Sequence, residues 1–366
     1  MIDLSGPVGN GAIYDIELCR DTGERIALLD RVLWFNYVRV YNAVGSFSIE
    51  LPHDFTANLI QIDQRINIWR KPPGGPKRLE FAGILKTRST GVDESGLLHR
   101  VIGGPCLNWL LGSRVVLTNA SVIISADDYM KNRVIVSLGG SGTYPLPSSL
   151  FSVQEETGQA PVVVPEASIR SLIDLLLDLA QSSTAQGTPL FFEIAAVGDE
   201  NKFQFRTYAN QPGLDRTASG PIFALEFGNL ANPLLIEEYA EEVNYVSTYY
   251  LSRELDGPIP ANLDSKDQTR YRRSIFARRE EGMSIKEPAA VADEGWRLLN
   301  AGRPRKIFTA TFKSVPGSLY GVHWYFGDRV PVVYDNKFFE AVIKAVAAAV
   351  DSNGLETIES AVEVDL

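Results

Sequence analysis

Apolar and polar residues alternate along most of the first hundred positions, with the period of two that marks a half-buried strand. Ile13, Ile16 and Leu18 are interleaved with Asp15 and Glu17. Asp21-Thr22-Gly23 turns the chain, and residues 25–29 resume the pattern. Residues 47–51 alternate until Pro52 stops them. Ile66 and Ile68 share one face of residues 65–70, and the proline- and glycine-rich stretch 71–76 reads as a hairpin connection. Strands at residues 81–87 and 97–102 complete an expected antiparallel barrel or sandwich.

The period then changes. Residues 105–111 read as a short helix, and 114–117 as a further strand. Residues 137–147, rich in Gly, Ser and Pro, read as a loop. From Pro165 the spacing of Ile169, Leu172, Ile173, Leu176 and Leu179 predicts an amphipathic helix. Residues 191–196 and 202–208 predict a hairpin around Gly198-Asp199. Strand patterns return at 224–227 and 242–251. A polar stretch over 265–301 reads as helical, with Pro288 suited to a first turn and Gly302 to a stop. Strands follow at 307–312, 329–334, 339–346 and 358–364.

The expected fold is mainly β with α+β: two similar antiparallel β-barrel domains, an intervening α+β domain and a helical insertion. The boundaries are 1–118 for the first barrel, 119–221 for the α+β domain, and 222–264 plus 303–366 for the second barrel. Residues 265–302 form the insertion.

Composition narrows the function classes. Of 366 residues 45% are hydrophobic, enough for a folded chain rather than a disordered one. The net charge of −10 argues against a surface that grips nucleic-acid phosphates. Two cysteines, Cys19 and Cys106, give no disulfide framework. Residues 1–7 lack the basic and apolar regions of a secretory signal. The most apolar stretch of helical character, residues 341–350, is interrupted by Lys344 and falls short of the ~20 residues that span a bilayer.

Candidate chemistry is thin. His53, His99 and His323 are scattered, without the convergence a zinc site needs. Gly139-Gly140-Ser141-Gly142-Thr143 lacks the lysine of a phosphate-binding loop and does not match the GxSxG elbow of serine hydrolases. Glu155-Glu156 and Glu237-Glu238 read as solvated surface rather than a glycosidase pair. The aromatic clusters Trp34-Phe35-Tyr37 and His323-Trp324-Tyr325-Phe326 suit core or subunit contact better than sugar stacking. No catalytic, cofactor-binding or metal-ligating residue is assigned.

The sharpest charge feature lies in the insertion. Lys266, Arg270, Arg272, Arg273, Arg278 and Arg279 face one acid, Asp267, giving +5, whereas residues 335–366 carry seven acids against Lys337 and Lys344, giving −5. A solvated helix face is one reading; electrostatic pairing between subunits or with an acidic partner is the other. Arg270, Arg272, Arg273, Arg278 and Arg279 are therefore candidate subunit-interface residues.

Several motifs in order resemble one family. Residues 34–52 run through a strand, the Asn42-Ala43-Val44-Gly45 turn and a strand closing on Leu51-Pro52. Then come the strand 65–70, the segment 103–114, Gly228-Asn229-Leu230 leading to Asn244-Tyr245-Val246, and Gly327-Asp328-Arg329-Val330. The terminal motif is Gly354-Leu355-Glu356-Thr357-Ile358. This order is similar to that of tailed-bacteriophage tail-hub proteins, relatives of the contractile-phage baseplate hub. The resemblance is weakest across 120–220.

It implies a structural, non-enzymatic homotrimer without cofactors, with two barrels per chain forming a pseudo-sixfold ring at the tail tip of a virion assembled in the bacterial cytoplasm. Such a ring adapts the tail tube or distal tail protein above to fibre, tip or tape-measure proteins below. It also forms a channel through which DNA is ejected without specific binding, and it has no membrane anchor. The resemblance leaves two alternatives: a tail-tip protein that binds or degrades cell-wall polysaccharide, or the hub of a phage-like contractile injection system.

Overall fold

Burial follows the alternating pattern closely at the start of the chain. In the strand Ile13–Cys19 the buried side chains Tyr14, Ile16 and Leu18 point to one side. Their neighbours across Arg65–Lys71 are Arg70, Ile68 and Ile66. Arg25–Leu28 flanks the pair on one edge and Arg78–Ile84 on the other, making a four-stranded antiparallel sheet.

The computed structural model of the chain describes residues 1–366 except 9–10, 53–54, 56–58, 93–95, 97, 118–123, 141, 143, 164–168, 198–201, 240–241, 244, 252–257, 265–273, 280–294, 297, 300–301, 303–304 and 365–366. At 185, 247–251, 258–264, 274–279, 305–307 and 363–364 the backbone alone is described.

A second sheet of nine strands carries the rest of the main core. Its order runs Leu230–Glu238, Arg305–Phe312, Glu356–Val364, Lys337–Val350, Trp34–Val40, Ser46–Leu51, Leu98–Pro105, Thr87–Val92, with Arg329–Tyr334 paired to Lys337–Val350 off this path. Strands from both ends of the sequence thus share one sheet. The seam is antiparallel pairing of Val350 with Phe35 through Ala345 with Val40. Lys337–Val350, 14 residues long, makes this possible. One half of it pairs with Arg329–Tyr334, and the other half reaches Trp34–Val40 while Glu356–Val364 runs along its opposite side. The stretch 341–350 is therefore strand, not helix. The chain is mainly β as expected, and among the described residues the sheet stays open, ending on Leu230–Glu238 and Thr87–Val92.

The two sheets pack face to face through aromatic side chains. Tyr14 meets Phe35 edge-on with ring centroids 5.0 Å apart, and Phe81 lies 5.6 Å from Tyr37 and 5.8 Å from Phe47. Phe35, Tyr37, Ile49, Phe308, Ile343 and Val346 fill the interior from the larger sheet. Offset and edge-to-face pairs of this kind add to simple area burial. The Asn42-Ala43-Val44-Gly45 turn is shaped by backbone demands at both ends. Asn42 takes a left-handed φ of 57°, and a Cβ on Gly45 would lie 2.0 Å from the carbonyl oxygen of Val38.

A second core belongs to the α+β unit. The expected hairpin is present as Leu190–Val197 and Lys202–Ala209, and Phe151–Val153 adds a parallel third strand. The expected helix starts later than its apolar spacing suggests. Ile169 sits in a short strand, Ile169–Ser171, and is 75% exposed; the helix runs Leu172–Ala185. Ser171 explains the boundary, because its hydroxyl accepts the Asp174 N–H at 3.2 Å and caps the first turn. Ser171→Ala is expected to cost about 1 kcal/mol, read as a lower urea midpoint with an unchanged slope.

The sequence pattern gave no sign of the helix Ala126–Leu138. Its buried face includes Asp127, Asp128 and Lys131, which an apolar stripe does not reveal. The buried charges are partnered. Asp127 accepts from the N–H of Ala160 at 3.0 Å, the N–H of Gln159 at 3.3 Å, and the Thr157 hydroxyl at 2.8 Å. Lys131 lies 3.3 Å from both carboxylates. Burial alone would raise Asp127. The donors from Ala160, Thr157 and Gln159, with Lys131, hold it below 3.8 instead. A lowered folded value means that stability present at neutral pH is lost as pH falls through it. Protection of the Ala160 and Gln159 amides against hydrogen exchange, relative to the intrinsic rate at each pH, is expected to fall in acid, and Asp127→Asn to show that lower protection already at neutral pH.

The insertion differs from expectation. Ser274–Arg279 is a strand, parallel to Tyr245–Leu251, which also pairs with Pro258–Asp264. Ile275 and Phe276 are residue types that favour strands, whereas arginine content says little about backbone. Helical turns occur at Gly295, Trp296, Leu298 and Leu299, and the Gly302 N–H reaches the Leu298 carbonyl at 3.1 Å, as a helix stop should.

Candidate functional site

The strongest concentration of polar groups lies where the two sheets and the α+β unit meet. Arg70 is in phase with Ile66 and Ile68, so strand geometry carries its guanidinium into the core. There it meets Glu356 from the other end of the sequence. Nε to Oε1 is 2.8 Å and Nη2 to Oε2 is 3.0 Å, a bidentate pair with side chains 2% and 0% exposed. The Tyr14 hydroxyl donates to Glu356 Oε1 at 2.5 Å, and Arg70 Nη1 donates to the Tyr320 carbonyl at 3.0 Å. Burial first, then the Glu356 charge, pushes Tyr14 well above the usual tyrosine value, which keeps its hydroxyl a donor.

A second pair joins the larger sheet to the α+β unit. Arg39 Nη2 lies 3.0 and 3.3 Å from the two Glu193 oxygens, and Tyr208 donates to Glu193 at 3.0 Å. Arg39 also lies over the Phe326 ring, with its guanidinium carbon 4.3 Å from the centroid. Arg65 reaches the same unit by stacking 4.0 Å over Phe203. Gly327-Asp328 turns the chain beside this contact. Gly327 has φ 89°, and Asp328 accepts the N–H groups of Leu214 and Tyr325, each at 2.8 Å, while pairing with Arg216.

The larger sheet's other face is free of the smaller sheet and chemically plain. Register places Ala345, Ala347 and Ala349 beside Ala361, Glu359 and Thr357 on one side, and beside Val40, Val38 and Asn36 on the other. Ser46, Ser48 and Glu50 continue the face, followed by Gly103 and Val101. Across these positions the side chains are small, neutral or acidic. A depression of about 360 Å³ lies among Val38, Asn232, Thr309, Ala347 and Glu359.

The candidate interface arginines are not brought into a described cluster. Arg278 and Arg279 lie on the strand Ser274–Arg279, while Arg270, Arg272 and Arg273 are outside the described residues. His53 is also outside them. His99 contacts Glu50 at 2.8 Å, and His323 accepts the Leu319 N–H at 2.9 Å. Among the described residues no three His, Cys, Asp or Glu side chains gather as a metal site, and no helix is long and apolar enough to cross a membrane. Of the aromatic clusters, Phe35, Tyr37, Trp324 and Phe326 are core. Glu155, Glu156, Glu237 and Glu238 are exposed, with Glu237 paired to Lys337 at 3.2 Å.

The buried polar groups that sequence reading missed were marked by phase. Arg70 continues the apolar face of Ile66 and Ile68, and Glu356 that of Ile358 and Val362. A charge repeated in an apolar phase is the signal of a buried ion pair.

Two stacked sheets joined by the buried Arg70–Glu356 pair, with the Arg39–Glu193 pair holding the α+β unit to the larger one, define a mainly β protein. Comparison with solved structures identifies its fold as that of phage tail proteins. A tail protein from Neisseria meningitidis matches 97% of this chain and 97% of its own, with a TM-score of 0.60 at 11% identity. The 43 kDa tail protein of prophage MuSo2 from Shewanella oneidensis matches 96% of this chain and 98% of its own, with a TM-score of 0.60 at 14% identity. A chain of the PdpA–VgrG complex from Francisella covers 97% of this chain with 52% of its own, with a TM-score of 0.54 at 11% identity. No protein-family model matches the sequence, and no curated protein does.

Proposed function

We propose that the chain is a structural tail-hub protein: three copies form a pseudo-sixfold ring at the tail tip, and the plain face of the nine-stranded sheet lines a channel for DNA. The observation that carries this reading is that face. Duplex DNA is gripped by lysine and arginine on its phosphates, and the positions around Ala345–Ala349 offer alanine, serine, threonine and glutamate instead. Three chains at −10 each bring −30 to the ring, so DNA is repelled from the wall and slides. The open strands Leu230–Glu238 and Thr87–Val92 leave two sheet edges for neighbouring copies.

In this reading the two ends of the chain supply the two hub domains, 1–118 and 222–264 plus 303–366, on either side of the seam. The 119–221 unit stands outside them. The ring joins the distal tail protein or tail tube to fibre, tip or tape-measure proteins, has no enzymatic activity, and sits in the virion tail. Class averages of the purified protein in negative stain are expected to show threefold rings with a central opening; compact particles without one would overturn the proposal. The arginines of 265–302 serve as subunit contacts by pairing with carboxylates. Arg272→Glu with Arg273→Glu is expected to shift the assembly towards monomer in light scattering, and an unchanged mass would remove those residues from the interface.

A further inference from the structure

One carboxylate at the junction lacks a counter-charge of its own. Glu80, on Arg78–Ile84, is 2% exposed. Its Oε2 accepts from the Tyr320 hydroxyl at 2.7 Å, while its Oε1 is shut off from solvent with no hydrogen-bond partner. The guanidiniums whose charge reaches it, Arg70 and Arg39, are each committed to another carboxylate, Glu356 and Glu193. Arg78, on the same strand, is exposed and lies 4.9 Å over the Tyr325 ring. The remaining groups that face Glu80 are phenols: Tyr14 from the same sheet, Tyr37 from the larger sheet, and Tyr320 and Tyr325 from the turn before Gly327. None of these can supply a positive charge.

A cavity of about 60 Å³, lined by Glu80, Arg39, Glu193, Cys106 and Asn108, adjoins it. That volume accommodates one or two water molecules at about 30 Å³ each. A buried, uncompensated carboxylate is costly, and the simplest neutralisation is a proton.

We propose that Glu80 is a proton-binding site that couples the hold of the junction to pH. One proton from solvent adds to Oε1, no bond in the chain breaks, and the new O–H donates into the cavity while Oε2 keeps its bond from Tyr320. Burial, the largest influence, raises Glu80 above 4.5 against the opposing Tyr320 hydrogen bond, the Arg70 and Arg39 charges and the Tyr325 hydroxyl. A folded value raised above the unfolded one means the folded state holds the proton more tightly. Stability therefore rises as pH falls through the folded value and levels off below 4.5. Ionisation at higher pH loosens the contact of the smaller sheet with the Tyr320 turn and the α+β unit. This rests on the fold alone and stands apart from the ring.

The test is thermal melting of the full chain across pH, wild type beside Glu80→Gln. Glutamine mimics the neutral acid, so the variant is expected to melt higher at neutral pH, and the wild type to converge on it as the pH approaches 4.5. A variant that melts lower at neutral pH, with a gap that does not close in acid, would overturn the proposal. Should the variant fail to fold, infrared spectra of the wild type decide. A protonated-carboxyl carbonyl band that persists above the ordinary glutamate range is expected, and its absence contradicts the assignment.

Discussion

Glu356→Ala is expected to destabilise the chain by about 3–5 kcal/mol, the largest effect of any single substitution considered. The mutation does not merely remove an attraction. It leaves the Arg70 guanidinium, 2% exposed, buried beside Tyr14 with its counter-ion gone, and an uncompensated buried charge is what makes such losses large. The partners are 286 residues apart in sequence, so the loss falls on the junction of both chain ends. Replacing both at once, Arg70→Met with Glu356→Leu, is expected to recover most of the stability, because well-packed apolar side chains of similar volume serve a buried site about as well. Urea denaturation of the two single variants and the double variant measures the coupling directly. Additive losses in the double variant would show that the pair does not act as a unit.

Charge on the plain face of the larger sheet carries the second large effect. Ala347→Lys with Glu359→Lys adds two lysines per chain, six in a trimer, on adjacent strands. If six phosphates are neutralised, the slope of log affinity against log salt steepens by about 5, and binding weakens about a thousandfold between 50 and 200 mM salt. The wild-type assembly is expected not to retain duplex DNA at low salt, while the variant retains it with that salt dependence. In particles, the same variant is expected to assemble normally and eject DNA slowly. Wild-type protein that holds DNA as firmly as the variant would remove the channel from the account.

Local pattern made much of the fold legible. Ile13–Cys19 and Arg65–Lys71 announce themselves by alternation, and the Leu190–Ala209 hairpin by two β-rich runs around a turn. What stayed hidden depends on contacts distant in sequence or on buried polarity. The seam between Lys337–Val350 and Trp34–Val40 joins segments about 300 residues apart, and no local spacing encodes it. The helix Ala126–Leu138 has no apolar stripe to mark it, because Asp127, Asp128 and Lys131 occupy its buried face. At Ser274–Arg279 the charge run carries no backbone signal, and Ile275 and Phe276, residue types that suit a strand, are too short a run to mark one.

The junction was half visible. Arg70 and Glu356 stand in the phase of their apolar neighbours, so their burial follows from alternation once the strands are known. That they face each other follows only from the tertiary structure. Glu80 shows the same limit. Its burial comes with a bulge opposite Ile68 and Trp69, where Glu80 and Phe81 are buried in succession and alternation fails, and its lack of a free counter-charge emerges only when Arg70 and Arg39 are found already paired.

The tail-hub reading depends on three copies closing into a ring. Light scattering of the purified full-length chain coupled to gel filtration tests that directly. Three chains of 40.3 kDa predict a species of about 121 kDa, stable across micromolar dilution. A monomer of 40.3 kDa at every concentration, or a dimer throughout, would contradict the account.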